Sequence, residues 1–75
     1  MDKGFIALGA AIAIAIVAGA AALAIGSASG KAFESSARQP EIAGKIQAML
    51  MTAIVFIEAT AIYALVVSLL LIFAF

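Results

Sequence analysis

Cysteine and histidine are both absent from the 75 residues. The first absence removes disulfides and thiolate metal sites, and with them any inference about redox compartment. The second leaves no imidazole ligand, and a lone acid in the apolar stretches falls far short of the converging donors a metal site needs. Charge is scarce as well. Four basic and four acidic side chains sum to a formal net charge of zero, which provides no electropositive footprint for nucleic acid. There is no nucleophilic triad, and Gly26 and Gly30 lack the lysine–serine signature of a phosphate loop, so an intrinsic nucleotide site is not expected. What the chain does have is apolar mass. At 68% hydrophobic residues and a mean hydropathy of +1.34, polar surface is too scarce to cover a water-soluble domain.

That mass falls into two runs. Gly4 to Gly30 carries no charge, and Ile46 to Phe75 carries one, Glu58. Each exceeds the ~20 residues that a spanning helix requires. The remaining charges gather between the runs as Lys31, Glu34, Arg38, Glu41 and Lys45, with Asp2 and Lys3 at the N-terminus. The excess of basic residues in the middle places the connecting loop in the cytoplasm and both termini outside. Ser27-Ala28-Ser29 has the small side chains of a signal-cleavage site, but the apolar run before it is longer than an ordinary h-region. Both spans are therefore expected to be retained.

The chain reads as a single all-α hairpin, with helix 1 over about 4–37, a polar loop over about 38–40 and helix 2 over about 41–75. Pro40 disfavours helical geometry at Gln39 and suits the first turn of the helix that follows, where Glu41 complements the positive dipole end. Along helix 1, small residues recur at every second position over Ala11–Ala15 and again over Ala18–Gly26. A lone strand cannot span lipid, so this period has to be read on a helix. At ~100° per residue, Ala11, Ala15, Ala18, Ala22 and Gly26 share one sector, and Ala13, Ala20 and Ala24 share a nearly opposite one. Ile12, Ile16 and Leu23 form one bulky edge between them, and Ile14 and Ile25 the other. Small faces let helices approach closely in membranes, and two such faces on so short a chain predict packing against copies of itself. Repeated heterologous contacts close into a ring.

Glu58 lies ~20 Å of helix from Lys45 and about 25 Å from Phe75, near the middle of a bilayer-length segment. Burying an ionised acid at that depth costs on the order of 2.5–3.5 kcal/mol on insertion scales, so such residues mark ion or proton paths. No basic residue of its own helix beyond Lys45 is available to pair with it. Facing lipid, the carboxyl would be neutral because desolvation disfavours the charged form; meeting water or a cation, it would ionise. That alternation is the chemistry of a proton carrier. Thr60 and Tyr63 fall about 200° and 140° around the helix from Glu58, so neither shares its face within one chain. A hydroxyl could approach across a subunit boundary. Alternatively, Thr60 bonds its own backbone and Tyr63 fills a packing gap.

The loop Gly30-Lys31-Ala32-Phe33-Glu34-Ser35-Ser36-Ala37-Arg38-Gln39-Pro40-Glu41, together with Glu58-Ala59-Thr60-Ala61-Ile62-Tyr63, resembles the c-subunit of the F-type ATP synthase, the proteolipid of its membrane rotor. The resemblance covers nearly the whole chain. It implies a homo-oligomeric ring in a bacterial-type cell membrane, with first helices inside and second helices outside. Glu58 would be the proton-binding site at the outer surface, and Ala18, Ala20, Ala22, Ala24 and Gly26 would pack the ring. It further implies that the ring turns against the a-subunit of the stator, whose arginine meets each carboxylate. Arg38, Gln39 and Pro40 would contact the central stalk, subunits gamma and epsilon. No cofactor is implied and no bond chemistry by the chain itself. Sodium-binding members carry glutamine where Ile25 stands and serine where Ala59 stands. With both apolar here, Glu58 and a carbonyl near Phe56 would under-coordinate sodium, so protons are the expected coupling ion. The competing readings are a small self-associating pore or holin-like hairpin, a sodium-coupled rotor subunit, and a proteolipid of the vacuolar or archaeal type.

Overall fold

The computed structural model describes residues 2–75. Two helices, α1 (Lys3–Arg38) and α2 (Ala43–Ala74), fold back on each other, separated by Gln39 and a single 3-10 turn, Pro40–Ile42. Among the described residues there is no strand. Both helices are long and apolar enough to cross a membrane. The hairpin is 58 Å long, nearly twice the ~30 Å of a hydrocarbon core, so its charged loop end extends beyond the apolar layer.

Each helix end has a physical cause. Asp2 caps α1, its Oδ1 accepting from the Gly4 N–H at 2.9 Å, an arrangement generally worth about 1 kcal/mol. At the other end Gln39 leaves helical geometry with φ −133° and ψ 71°, as the following proline demands. Its N–H still donates to the Ser35 carbonyl at 2.9 Å, closing the last turn of α1. Arg38 reaches back one turn to Glu34 at 2.9 Å on the exposed surface. The sequence suggests that the α-helix resumes at Glu41, but the chain takes the 3-10 turn first. The Ile42 N–H bonds the Gln39 carbonyl at 3.1 Å, tightening the corner.

The seam between the helices is narrow, and its most buried residues are mainly small. Ile6, Ala10 and Ala21 of α1 and Ala64 and Ser68 of α2 are buried, while nearly everything else is half-buried or exposed. The half-buried Ile14, Val17 and Ile25 extend the same face of α1. This face bisects the two small sectors of α1. Ala11, Ala15, Ala22 and Gly26 are exposed on one side of the seam, and Ala20 and Ala24 on the other. The bulky edge of Ile12, Ile16 and Leu23 points away from α2 and is exposed. One hydrogen bond crosses the seam: the Ser68 hydroxyl donates to the Ala10 carbonyl at 2.7 Å.

Because Ala10 is 3% exposed at this crossing, Ala10→Leu is expected to destabilise the hairpin by about 1–3 kcal/mol through overpacking, whereas Leu8→Ile, on exposed surface, should be close to neutral. Thermal unfolding in detergent, followed by circular dichroism, measures both.

Candidate proton-carrying site

Glu58 sits midway along α2 on an exposed flank of the helix. The seam face of α2 runs through Ile57, Ala61, Ala64 and Ser68, which places Glu58 about 80° to one side of it at ~100° per residue. Its carboxyl is thus neither packed inside the hairpin nor opposite the partner helix. It lines a shallow lateral concavity with Val55, Ala59, Ile62 and Tyr63. Three of these walls are hydrocarbon, so the site is apolar apart from the carboxyl and one phenol. Among the described residues, no salt bridge reaches Glu58. The only ion pair there is Arg38–Glu34, far away at the loop.

The residues that the sequence points to separate into distinct places. Tyr63 lines the same concavity as Glu58 within a single chain, although five positions and a 140° offset argue against a shared face. The offset holds for the Cα–Cβ directions, but a long tyrosine on the flank spans more arc than a Cβ does, and its ring reaches the groove. Ala59 is also a wall of it. Thr60 is not: its hydroxyl donates to the Ile57 carbonyl of its own helix at 2.6 Å. Thr52 does the same one stretch earlier, to Ala48 at 3.0 Å. Phe56 is 71% exposed and outside the concavity, as is Ile25, which is half-buried on α1. Of the small residues, Ala18 is half-buried, and Ala20, Ala22, Ala24 and Gly26 are exposed along the flanks of α1. Arg38, Gln39 and Pro40 are exposed at the corner.

Ser68 is the residue that sequence reasoning misses. Its signal is available: it is the only hydroxyl in the twelve residues from Ala64 to Phe75, and a lone hydroxyl in lipid needs an acceptor.

Known proteins resemble this chain over most of its length. The family model for the ATP synthase C-subunit matches residues 8–71. The chain is 49% identical over 67 residues to the chloroplastic ATP synthase c-subunit of Euglena gracilis, an overlap of 89% of this chain and 83% of that protein. It is 48% identical over 67 residues to the ATP synthase c-subunit of Thermosynechococcus vestitus, covering 89% and 82%. Against the ATP synthase c-subunit of Clostridium botulinum strain Hall, identity is 50% over 71 residues, covering 95% and 89%.

Two neighbours of Glu58 should differ in effect. Tyr63→Ala removes one wall of the concavity and, by opening access to the carboxyl, should accelerate carbodiimide modification of Glu58 by more than about twofold. Thr60→Val should leave that rate within about twofold, because its hydroxyl serves its own backbone. Rates of modification followed by mass spectrometry distinguish the two.

Proposed function

The chain belongs to the ATP synthase C-subunit family, and from that premise we propose that it is the ion-carrying subunit of a membrane rotor in which Glu58 takes up and releases a proton. Identical hairpins close into a ring. The open small-residue flanks on either side of the seam support this, since they offer two surfaces for close helix approach that the hairpin itself leaves unused. Their geometry favours α1 inside, with the bulky edge of Ile12, Ile16 and Leu23 toward the axis, and α2 outside.

The observation that carries the reading is the position of Glu58. It is the sole carboxyl of the second span, on an exposed flank within apolar walls. Facing lipid, the carboxyl is neutral, and the subunit can travel through hydrocarbon without the cost of a buried charge. Facing an aqueous half-channel or the arginine of the stator's a-subunit, it ionises. A membrane potential supplies ~2.3 kcal/mol per charge per 100 mV, and two offset access paths convert that bias into rotation of the ring. The loop around Arg38, Gln39 and Pro40 faces the cytoplasm and meets the central stalk, subunits gamma and epsilon, passing torque to a catalytic head. The chain itself makes and breaks no covalent bond.

The coupling ion in this reading is the proton. Sodium is a hard cation that requires several oxygens. The Glu58 concavity offers the carboxyl and one phenol, with Ala59 contributing a methyl and Ile25 standing outside it.

Glu58→Gln keeps size and hydrogen bonding but cannot titrate. ATP-driven proton pumping in inverted vesicles is expected to fall to background while the assembled protein still accumulates, and Glu58→Asp should retain part of the activity. A polar-glue or pore role would instead tolerate glutamine. Millimolar sodium should not slow carbodiimide modification of Glu58 at any pH; protection by sodium would reassign the coupling ion.

A further inference from the structure

Helix α2 has almost no apolar face, because it is apolar nearly all round. Between Ile46 and Phe75 its polar side chains are Gln47, Thr52, Glu58, Thr60, Tyr63 and Ser68. A helix of that kind has no preferred azimuth from hydrophobic burial, and lipid tails are as apolar as its side chains. The seam adds little direction. Ala10 and Ala21 meet Ala64 with methyls alone, and of the branched side chains on this face only Ile6 is buried, while Ile14, Val17 and Ile25 are half-buried, so apolar contact discriminates weakly between neighbouring rotations.

We propose that Ser68 is a positioning residue that sets the rotation and register of α2, and through them the placement of Glu58 on the flank of the hairpin. Its hydroxyl donates to the Ala10 carbonyl at 2.7 Å, with the two residues 4% and 3% exposed. Hydrogen bonds are directional where methyl contacts are not. Thr52 and Thr60 both bond carbonyls of their own helix, so they carry no information about α1. Among the described residues, the Ser68 bond alone crosses between the helices.

The consequence for Glu58 follows from helix geometry. Ten residues separate it from Ser68, which is ~15 Å along the axis and about 80° around it. With Ser68 seated on Ala10, antiparallel residues whose numbers sum to 78 lie level, so Glu58 stands at the height of Ala20, off to one side of it. A one-residue slip turns α2 by ~100°. In one direction Glu58 enters the seam and loses its access; in the other it rotates to the outermost face, away from the flank that a neighbour's α1 can approach. Small residues at Gly19, Ala20 and Ala21 leave nothing at that level of α1 to resist either error. α1 also carries no ionisable side chain between Lys3 and Lys31, and Tyr63 is the other titratable group of the concavity. No charge therefore holds Glu58 in azimuth, and the hydroxyl anchor ten residues away does.

This inference rests on the proton-carrier reading for its functional meaning, but the register itself can be measured separately. The chain has no native cysteine, so Ile14→Cys with Ala64→Cys, level on the seam, reports register by disulfide formation in the assembled protein in its own membrane. Adding Ser68→Ala is expected to slow that disulfide by roughly threefold to tenfold and to change the rate of Glu58 carbodiimide modification by a similar factor, whereas Ser68→Thr, which keeps the hydroxyl, restores both. Wild-type rates in Ser68→Ala, or equal rates in Ser68→Thr and Ser68→Ala, overturn the proposal. If Ser68→Ala does not assemble, Ser68→Cys in the otherwise cysteine-free chain is close to serine in size but a feeble donor. Glu58 modification unchanged from wild type in that variant overturns the proposal, and a shift reversed by threonine supports it. Failure of the proton-carrier reading is separate: it appears as pumping retained by Glu58→Gln, which leaves the disulfide rates untouched.

Discussion

Water is missing from the middle of a bilayer, and the conformation of this chain follows from that absence. A backbone amide with no water to bond must find its partner within the segment, so both apolar runs become uninterrupted helices. The same demand accounts for three hydroxyls of α2. Thr52 and Thr60 fold back onto their own helix, and Ser68 reaches across to the other one. Among the described residues the Glu58 carboxyl has no hydrogen-bond or ion-pair partner within the hairpin, and an unpaired ionised acid in hydrocarbon is costly. In the proposed rotor its protonation follows its surroundings, which makes a residue that is expensive to place useful for moving a charge.

The hairpin divides its surface accordingly. One face of α1 is consumed by α2, the opposite edge is bulky, and the flanks are small and open. A single hairpin with this little buried surface is an incomplete object. Its stability depends on whatever covers the flanks, and the flanks admit a close helix on each side. Glu58 lies on the flank of α2 instead of its outermost ridge, so in an assembly of copies it stands near the boundary between neighbours. There it can be shielded by one surface and approached by another.

Much of this was legible in the sequence, because bilayer length, lone charge and proline position are coarse signals with strong physical causes. The two runs, the corner at Gln39-Pro40 and the isolation of Glu58 could each be read from a few residues. The opposed small sectors of α1 were legible too, although which edge α2 would cover was not. Ile14 and Ile25 face α2 while Ile12 and Ile16 face away, a choice decided by packing of two helices that are both apolar all round. Tyr63 shows a second kind of limit: helical-wheel angles describe Cβ directions, and a large ring on a flank reaches beyond its own sector. Ser68 shows a third. A serine in an apolar run has two acceptors to choose from, its own helix or the next, and local sequence does not distinguish them.

The most direct measurement is infrared difference spectroscopy of the carboxylic acid carbonyl band in lipid-embedded protein, titrated with pH and compared with Glu58→Gln. The account predicts a protonated carboxyl band at neutral pH that is absent from the glutamine variant, disappears reversibly as pH rises and is indifferent to sodium. A carboxyl that is ionised throughout the range, or whose protonated band is displaced by sodium, would contradict the claim that Glu58 carries protons through lipid in its neutral form.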